Sequence, residues 1–133
     1  MYTVFFIFIG GALGAIIREL LMINVPSLSD SFPMDIFVAN ILAAFLLGIT
    51  AALFQHKRIN QYANAFIATG VMGGLSTFSS FIYGSLEIMQ HPNKLWVGIC
   101  YIAISLVIGF IAVMLGLWLG NKLTLKKNNT TLN

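Results

Sequence analysis

The sequence predicts an all-α membrane protein with four transmembrane helices. Of its 133 residues, 59% are apolar and only 8% are charged, whereas a soluble domain is typically about 45–50% apolar and about 25% charged. The mean hydropathy of +0.92 points the same way. A transmembrane helix needs about 20 mainly apolar residues, so four helices with short connections use almost all of these residues. We therefore expect no soluble catalytic or nucleotide-binding domain among them.

Four apolar runs place the transmembrane helices. They cover residues 3–23, 36–54, 62–89 and 95–119. The first run ends in a connection rich in proline, serine and aspartate, which is typical of turns. The last run has Trp96 near its start and Trp118 near its end, where tryptophan anchors helices at the membrane surface. Residues 1–120 are thus predicted to form a single four-helix domain, and 121–133 a polar, disordered tail.

The basic residues predict the orientation of the helices. With four spans, both termini and the connection between the second and third spans share one side of the membrane. That side carries Lys57, Arg58, Lys122, Lys126 and Lys127. The opposite side has only Arg18 and Lys94. By the positive-inside rule we expect both termini in the cytoplasm, with the chain in the plasma membrane. The basic pI then reflects orientation and not nucleic-acid binding.

Small and polar residues recur at regular spacing in the first two apolar helices. Gly10 and Gly14 are four residues apart, which gives a smooth face for close helix packing. The second helix carries the same spacing in Asn40, Ala44, Gly48 and Ala52. Asn40 needs hydrogen-bond partners that lipid does not offer, so it either staples helices together or lines a pore as a donor. Arg18 either snorkels to the membrane surface or concentrates anions at a pore mouth.

The third helix is predicted to be broken. In residues 73–80 a glycine pair is soon followed by four hydroxyl residues in five positions, a composition that disfavours a continuous helix. The apolar run is also longer than one span requires, and we expect the break at Gly73–Ser76. Unwound backbone at membrane depth persists only where it is buried in protein or lines a cavity. Freed carbonyl groups favour cations and helix N-termini favour anions. The break alone therefore does not decide whether a cation or an anion binds there.

Aromatic and hydroxyl side chains follow the predicted break. Phe78 and Phe81 are three residues apart and share a helix face. The edge of an aromatic ring carries partial positive charge, so these rings either line an anion path or simply pack. Tyr101 and Ser105 place two hydroxyl groups on one face of the fourth helix. Glu87 is expected to be a solvated carboxylate at the membrane surface.

Taken together, these residues resemble the Fluc (CrcB) family of fluoride channels over nearly the whole chain. The matching segments are the glycine-rich helix that ends in Arg18, Asn40 with residues 45–48, residues 73–81, and the pair Tyr101 and Ser105. Residues 73–81 are similar to the most specific motif of the family. The sequence departs from the family pattern at Ile36, Ala43, Ala44 and Gly84, with Glu87 one turn after the position that is usually acidic.

The resemblance implies an antiparallel dimer with two fluoride pores and passive export of fluoride. It implies a central structural Na⁺, bound by backbone carbonyls of Gly73 and Ser76 from both subunits, and no organic cofactor. It also implies that the ion path is lined by Asn40, Phe78, Ser80, Phe81, Tyr101 and Ser105. Arg18 is then expected near the mouth of the pore. Closely spaced donors in a narrow pore replace the water around fluoride, and chloride is too large to use them.

Two alternatives remain open. The bias of basic residues to one side predicts a fixed orientation, so the partner is either a second copy or a paralogous subunit inserted the opposite way. A small multidrug-resistance-type transporter is also built from four short helices, but the first helix offers only Glu19 as a carboxylate. No nucleophile–base pair or metal-binding set falls within the spans, so the chain is predicted not to be an enzyme.

Overall fold

The computed structural model describes residues 2–25 and 32–130, with side chains as far as residue 125. Its helices are α1 (Tyr2–Asn24), α2 (Met34–Gln55), α3 (Gln61–Asn64), a π-helical segment (Ala65–Val71), α4 (Met72–Leu75), α5 (Phe78–Gln90) and α6 (Leu95–Thr130). The third span, Gln61–Gln90, comprises α3 to α5. All four spans are long and apolar enough to cross a membrane. The prediction of an all-helical, multi-pass membrane protein is confirmed.

The last helix is longer than the sequence predicted. It continues to Thr130, eleven residues beyond the predicted end of the fourth span at residue 119, and 131–133 lie outside the described residues. Polar contacts support this extension. The Arg58 guanidinium donates to the carbonyl oxygen of Thr124 at 3.1 Å, and the His56 ring lies 3.0 Å from the side-chain oxygen of Asn121. The connection after α2 therefore holds the helix beyond its apolar part.

Glycines bring α1 and the third span into backbone contact. Gly10 and Gly14 are buried on α1. A Cβ atom at Gly10 would overlap the carbonyl oxygen of Phe66. One at Gly14 would overlap the carbonyl oxygen of Val71. Because these contacts advance in the same direction along both elements, α1 and the third span run parallel. The face predicted from the spacing of Gly10 and Gly14 is a helix–helix contact.

A second glycine-mediated contact joins α2 to α6. A Cβ atom at Gly48 would overlap the carbonyl oxygen of Val113, and one at Gly116 would overlap that of Phe45. Ala52, one turn after Gly48, is fully buried. Helices that run in the same direction thus pair closely, and the bundle consists of two such pairs. Such close approach is how membrane helices gain packing energy without a hydrophobic driving force.

The third span changes its backbone conformation near its middle. Its helical residues end at Leu75 and resume at Phe78. Ser76 has ψ 147°, and Thr77 has φ −142° and ψ 109°, so both are extended. Gly73 and Leu75 are helical, and the interruption therefore begins at the last residue of the interval Gly73–Ser76.

Two clusters of core residues lie on either side of this interruption. One contains Ile36, Phe81, Ile88 and Tyr101. The other contains Ala43, Met72 and Leu75. Because Asn40 lies between Ile36 and Ala43 on α2, the packing places its carboxamide at the level of the interruption.

Candidate functional site

The side chain of Asn40 is hydrogen-bonded to both backbone groups of Thr77. The Thr77 amide donates to Asn40 Oδ1 at 2.8 Å, and Asn40 Nδ2 donates to the Thr77 carbonyl oxygen at 3.4 Å. Thr77 is only 7% exposed, so this contact satisfies a buried amide that has left the helix. The second Nδ2 hydrogen of Asn40 has no protein partner within 2–25 and 32–130. Asn40 therefore links α2 to the third span and keeps one side-chain N–H group available as a donor.

The Thr77 hydroxyl caps the start of α5. It accepts a hydrogen bond from the Ser80 amide at 3.2 Å and donates one to Ser80 Oγ at 3.0 Å. Threonine at an N-cap satisfies one of the amides that a helix start leaves without a partner. The hydroxyl-rich sequence after the glycines therefore ends one helix and begins another near the middle of the third span.

The same hydrogen bonds release two backbone carbonyl groups. In a continuous helix the Thr77 amide would donate to Gly73, and the Ser80 amide to Ser76. Here the Thr77 amide donates to Asn40, and the Ser80 amide to the Thr77 hydroxyl. Gly73 and Ser76 are also exposed, and nothing lies within 4 Å of a Cβ atom at Gly73. Their carbonyl oxygens are thus available to a cation or to another chain.

The two phenylalanines occupy different environments. Phe81 is 8% exposed, whereas Phe78 is 76% exposed. The Phe81 ring centroid lies 5.4 Å from that of Tyr101 and 6.4 Å from that of Phe78. Phe81 therefore belongs to the core, and Phe78 extends the aromatic cluster to the surface of the single chain.

Two cavities flank the interruption. One, of about 260 Å³, has walls that include Asn40, Ser76, Phe78, Phe81 and Ser105. The other, of about 310 Å³, has walls that include Asn40, Ala43, Ala44, Gly73 and Ser76. Asn40 and Ser76 belong to both walls, so these polar residues lie between the two cavities. Neither wall contains a charged residue.

Two buried hydroxyl groups lie on α6, and one of them lines the first cavity. In the described part of the chain, the Tyr101 hydroxyl and Ser105 Oγ are buried and have no hydrogen-bond partner. A buried hydroxyl without a partner is costly, and such groups in native proteins usually serve a ligand or an ordered water. Ser105 lines the first cavity, and Tyr101 packs against Phe81 in its wall. The Ser105 hydroxyl is therefore available to a small acceptor in the first cavity, whereas Tyr101 lies behind Phe81 and lines neither cavity.

The remaining predicted residues lie at the edges of this site. The Ser80 hydroxyl accepts from Thr77 and is absent from both cavity walls. Arg18 is half-buried and also lines neither cavity. It lies one turn after Gly14, which contacts Val71 and Leu75, so it stands near the level of the interruption. Glu87 is exposed, as expected for a carboxylate at the membrane surface.

Comparison with known proteins identifies the family. The model of a family described as "CrcB-like protein, Camphor Resistance (CrcB)" matches residues 5–117. This range covers most of the 133 residues. The chain belongs to the CrcB family.

Individual relatives of this CrcB-family chain are named as ion channels. Over 116 residues it is 58% identical to Fluoride-specific ion channel FluC 3 of Yersinia pseudotuberculosis, covering 87% of each chain. It is 37% identical to Fluoride-specific ion channel FluC of Ignicoccus hospitalis, covering 87% of this chain and 93% of the relative. It is 45% identical to Fluoride-specific ion channel FluC 1 of Brucella abortus and spans only 43% of that protein's length. These names agree with the prediction that the chain is not an enzyme.

The structure adds Thr77 to the residues predicted for this CrcB-family site. Thr77 holds Asn40 through its backbone and Ser80 through its hydroxyl. One signal in the sequence was available: a threonine directly before an apolar run is typical of a helix start. Its pairing with Asn40 was not predictable, because 37 residues separate the two.

Two departures from the CrcB pattern are coupled in space. Ile36 is 8% exposed and packs with Phe81 and Tyr101. A Cβ atom at Gly84 would lie 3.4 Å from the Ile36 Cδ1 atom and 3.1 Å from Pro33 Cγ. A larger residue at Gly84 would therefore have to displace Pro33 or Ile36. The isoleucine and the glycine fit one another, and α5 has no polar side chain at this point.

Proposed function

We propose that this chain forms a fluoride-selective channel that exports cytoplasmic fluoride passively. Membership of the CrcB family and the names of its relatives support this function. The observation that carries it is the Asn40 carboxamide, which holds the interrupted third span and adjoins two cavities with uncharged walls. Fluoride is a small ion and a strong hydrogen-bond acceptor, so uncharged donors at close intervals suit it.

The proposed ion path uses neutral groups only. Asn40 Nδ2 and the hydroxyls of Tyr101 and Ser105 replace part of the water around fluoride, and the ring edges of Phe78 and Phe81 supply partial positive charge. No full charge lines the cavities, so the ion is not held too tightly to leave. Chloride is larger and more weakly hydrated, and it gains less from the same contacts. Ser80 supports this path by fixing Thr77, and Arg18 raises the anion concentration near its mouth.

A second subunit completes the proposed pore. Phe78, Gly73 and Ser76 are exposed although they lie near the middle of a span. Carbonyl groups without donors do not persist against lipid. We therefore expect an oppositely inserted subunit to cover them, in an antiparallel dimer with two pores.

The central Na⁺ implied by the resemblance fits the freed carbonyls. Gly73 and Ser76 offer oxygens that no helical amide satisfies, and interrupted helices use such oxygens to bind Na⁺. The described residues contain no group of three or more His, Cys, Asp or Glu side chains, so backbone oxygens are the suitable ligands. The ion would offset the carbonyl dipoles where two subunits meet. No organic cofactor is needed.

A heterodimer is the second candidate, and the charge distribution favours it. The side of the chain with the termini carries five Lys and Arg residues against two on the other side. A chain of fixed orientation cannot form an antiparallel dimer with itself. In that case an oppositely oriented paralogue supplies the second subunit.

A small multidrug-resistance-type transporter is less well supported. Proton-coupled export of cationic compounds needs a carboxylate inside the translocation path. Glu19 on α1 is exposed and lines neither cavity. Family membership also favours the channel.

Growth of a bacterial strain that lacks its own fluoride exporter tests the proposed function. Expression of this chain is expected to restore growth in raised fluoride, while growth in equal chloride stays unchanged. A strain that expresses the chain in its membrane and remains fluoride-sensitive, with or without an oppositely oriented paralogue, would contradict the proposal.

A further inference from the structure

The charges of this chain are segregated along the membrane normal. We define the basic end as residues 56–58 together with residues 118–125 of α6. The basic end and the following residues 126 and 127 contain five of the seven Lys and Arg residues and none of the four acidic ones. Glu19, Asp35 and Glu87 belong to the opposite half of the bundle, and Asp30 falls in the connection there. One end is thus purely cationic over its described residues.

Hydrogen bonds bring two of these basic residues onto neighbouring segments. His56 is bonded to Asn121 at 3.0 Å, and Lys57 and Lys122 are the next residues along each segment. The Arg58 guanidinium is bonded to the Thr124 carbonyl oxygen. The turn after α2 is therefore fixed to α6, and an exposed lysine follows the bonded residue on each segment.

The backbone at Lys57 is unusual for a lysine. Its φ is 55°, in the left-handed region that closes many helices and is usually occupied by glycine. The Arg58 amide donates back to the Leu53 carbonyl oxygen at 2.8 Å, which closes the turn. Lys57 therefore adopts a backbone conformation that is unfavourable for lysine, and its side chain is exposed at the surface of the bundle.

Trp118 marks the depth of this surface in the membrane. It is 60% exposed, and tryptophan is enriched where acyl chains meet headgroups. The Lys122 ammonium lies 5.0 Å from the centre of the Trp118 ring. Lys122 and Trp118 thus form one exposed pair on α6.

We propose that the basic end binds the headgroup of an anionic phospholipid. The lipid phosphate lies between Lys57 and Lys122, and the part of the acyl chain nearest the headgroup contacts Trp118. Clustered basic residues beside a membrane helix attract anionic headgroups. The opposite end, which carries the acidic residues, does not share this property. The inference does not rest on the proposed transport function, because its test measures lipid contact and not flux.

The two tryptophans of the chain allow each end to be tested separately. Trp96 begins the fourth span at the opposite end, and Trp118 belongs to the basic end. A Trp96→Phe variant therefore reports only on the basic end, and a Trp118→Phe variant only on the other. In bilayers, quenching by phosphatidylglycerol with brominated acyl chains is compared with quenching by phosphatidylcholine with the same chains.

We expect Trp118 to be quenched at a lower fraction of the anionic lipid than of the zwitterionic one. The preference should be roughly fivefold for each lysine that contacts the headgroup. Lys57→Gln with Lys122→Gln should remove it, whereas Lys94→Gln at the opposite end should not. Equal quenching of Trp118 by the two lipids, or a preference that survives the double substitution, would overturn the proposal. An equal preference at Trp96 would show general charge attraction and overturn it too.

Discussion

Asn40 combines an observed structural role with the proposed role of a donor in the ion path. Its Oδ1 atom satisfies the buried Thr77 amide, while one Nδ2 hydrogen remains free beside two cavities. These roles are inseparable, because the hydrogen bonds to Thr77 also fix the direction of the free donor. A hydrophobic replacement should therefore affect both folding and flux.

Asn40→Ala is expected to lower stability and to slow fluoride flux. A buried donor left without a partner costs about 1–3 kcal/mol. Loss of a hydrogen bond to an ion costs about 1.5–3 kcal/mol, which corresponds to roughly tenfold to hundredfold slower flux if it falls on the barrier. Thermal unfolding in detergent and fluoride efflux from liposomes measure the two effects. Asn24→Ala is a matched control, since Asn24 is exposed and, among the described residues, donates to Leu20 one turn earlier. Equal flux in wild type and Asn40→Ala would contradict the role of this donor.

Phe81→Ile and Phe78→Ile are expected to disrupt permeation without preventing dimer assembly. Isoleucine keeps an apolar side chain but has no ring edge with partial positive charge. Fluoride efflux should therefore fall several-fold in each variant, while chemical crosslinking still detects the dimer. Phe110→Ile is the control, because Phe110 is 68% exposed on α6 and lines neither cavity. Normal flux in both test variants would remove the aromatic edges from the mechanism.

At the scale of elements, the bundle depends on two pairs of helices in backbone contact. α1 meets the third span through Gly10 and Gly14, and α2 meets α6 through Gly48 and Gly116. The interruption at Ser76 and Thr77 adjoins both pairs, since Asn40 is on α2 and Gly14 packs against Leu75. Packing of these pairs therefore sets the geometry of the site.

Gly14→Ala is expected to destabilise the bundle, while Gly11→Ala is not. The new methyl group at Gly14 would overlap the Val71 carbonyl oxygen, whereas nothing lies within 4 Å of a Cβ atom at Gly11. Overpacking of this kind typically costs about 1–3 kcal/mol. The midpoint of thermal unfolding in detergent should fall for the first variant only. Equal midpoints for the two would show that the backbone contact is not tight in the membrane protein.

The elements were predictable to different degrees for physical reasons. Hydropathy alone located the four spans, because the membrane imposes their length and apolarity. The π-helical turn at Ala65–Val71 and the extension of α6 to Thr130 were not predicted. Both depend on long-range contacts, such as Gly10 against Phe66 and Arg58 against Thr124, that local composition does not encode.

The residues of the ion path stay a prediction that came from the family resemblance. Four of them, Asn40, Phe78, Phe81 and Ser105, lie around one cavity. The sequence did not predict that Thr77 is the partner of Asn40, or that Gly84 leaves room for Ile36. Such contacts join residues far apart in sequence and follow from packing.

For the whole molecule, the segregation of charge predicts one orientation in the membrane. The side with the termini carries five basic residues and no acidic one, whereas the other side carries two basic and four acidic residues. A tag on the C-terminus should therefore be accessible only from the cytoplasm. Labelling of the tag in intact cells and in permeabilised cells measures the orientation of the C-terminus. A double variant, Lys57→Gln with Arg58→Gln, reduces the charge difference between the two sides and serves as the comparison. Equal labelling from both sides would show dual orientation and favour the homodimer.

The proposed function requires that this chain pass fluoride and reject chloride. Efflux from liposomes that contain only this chain, followed with a fluoride electrode and a chloride electrode, tests it most directly. We predict fast fluoride release without chloride release, from the chain alone or, if its orientation is fixed, after co-reconstitution with an oppositely oriented paralogue. Release of both ions at similar rates, or no fluoride release in either preparation, would contradict the account.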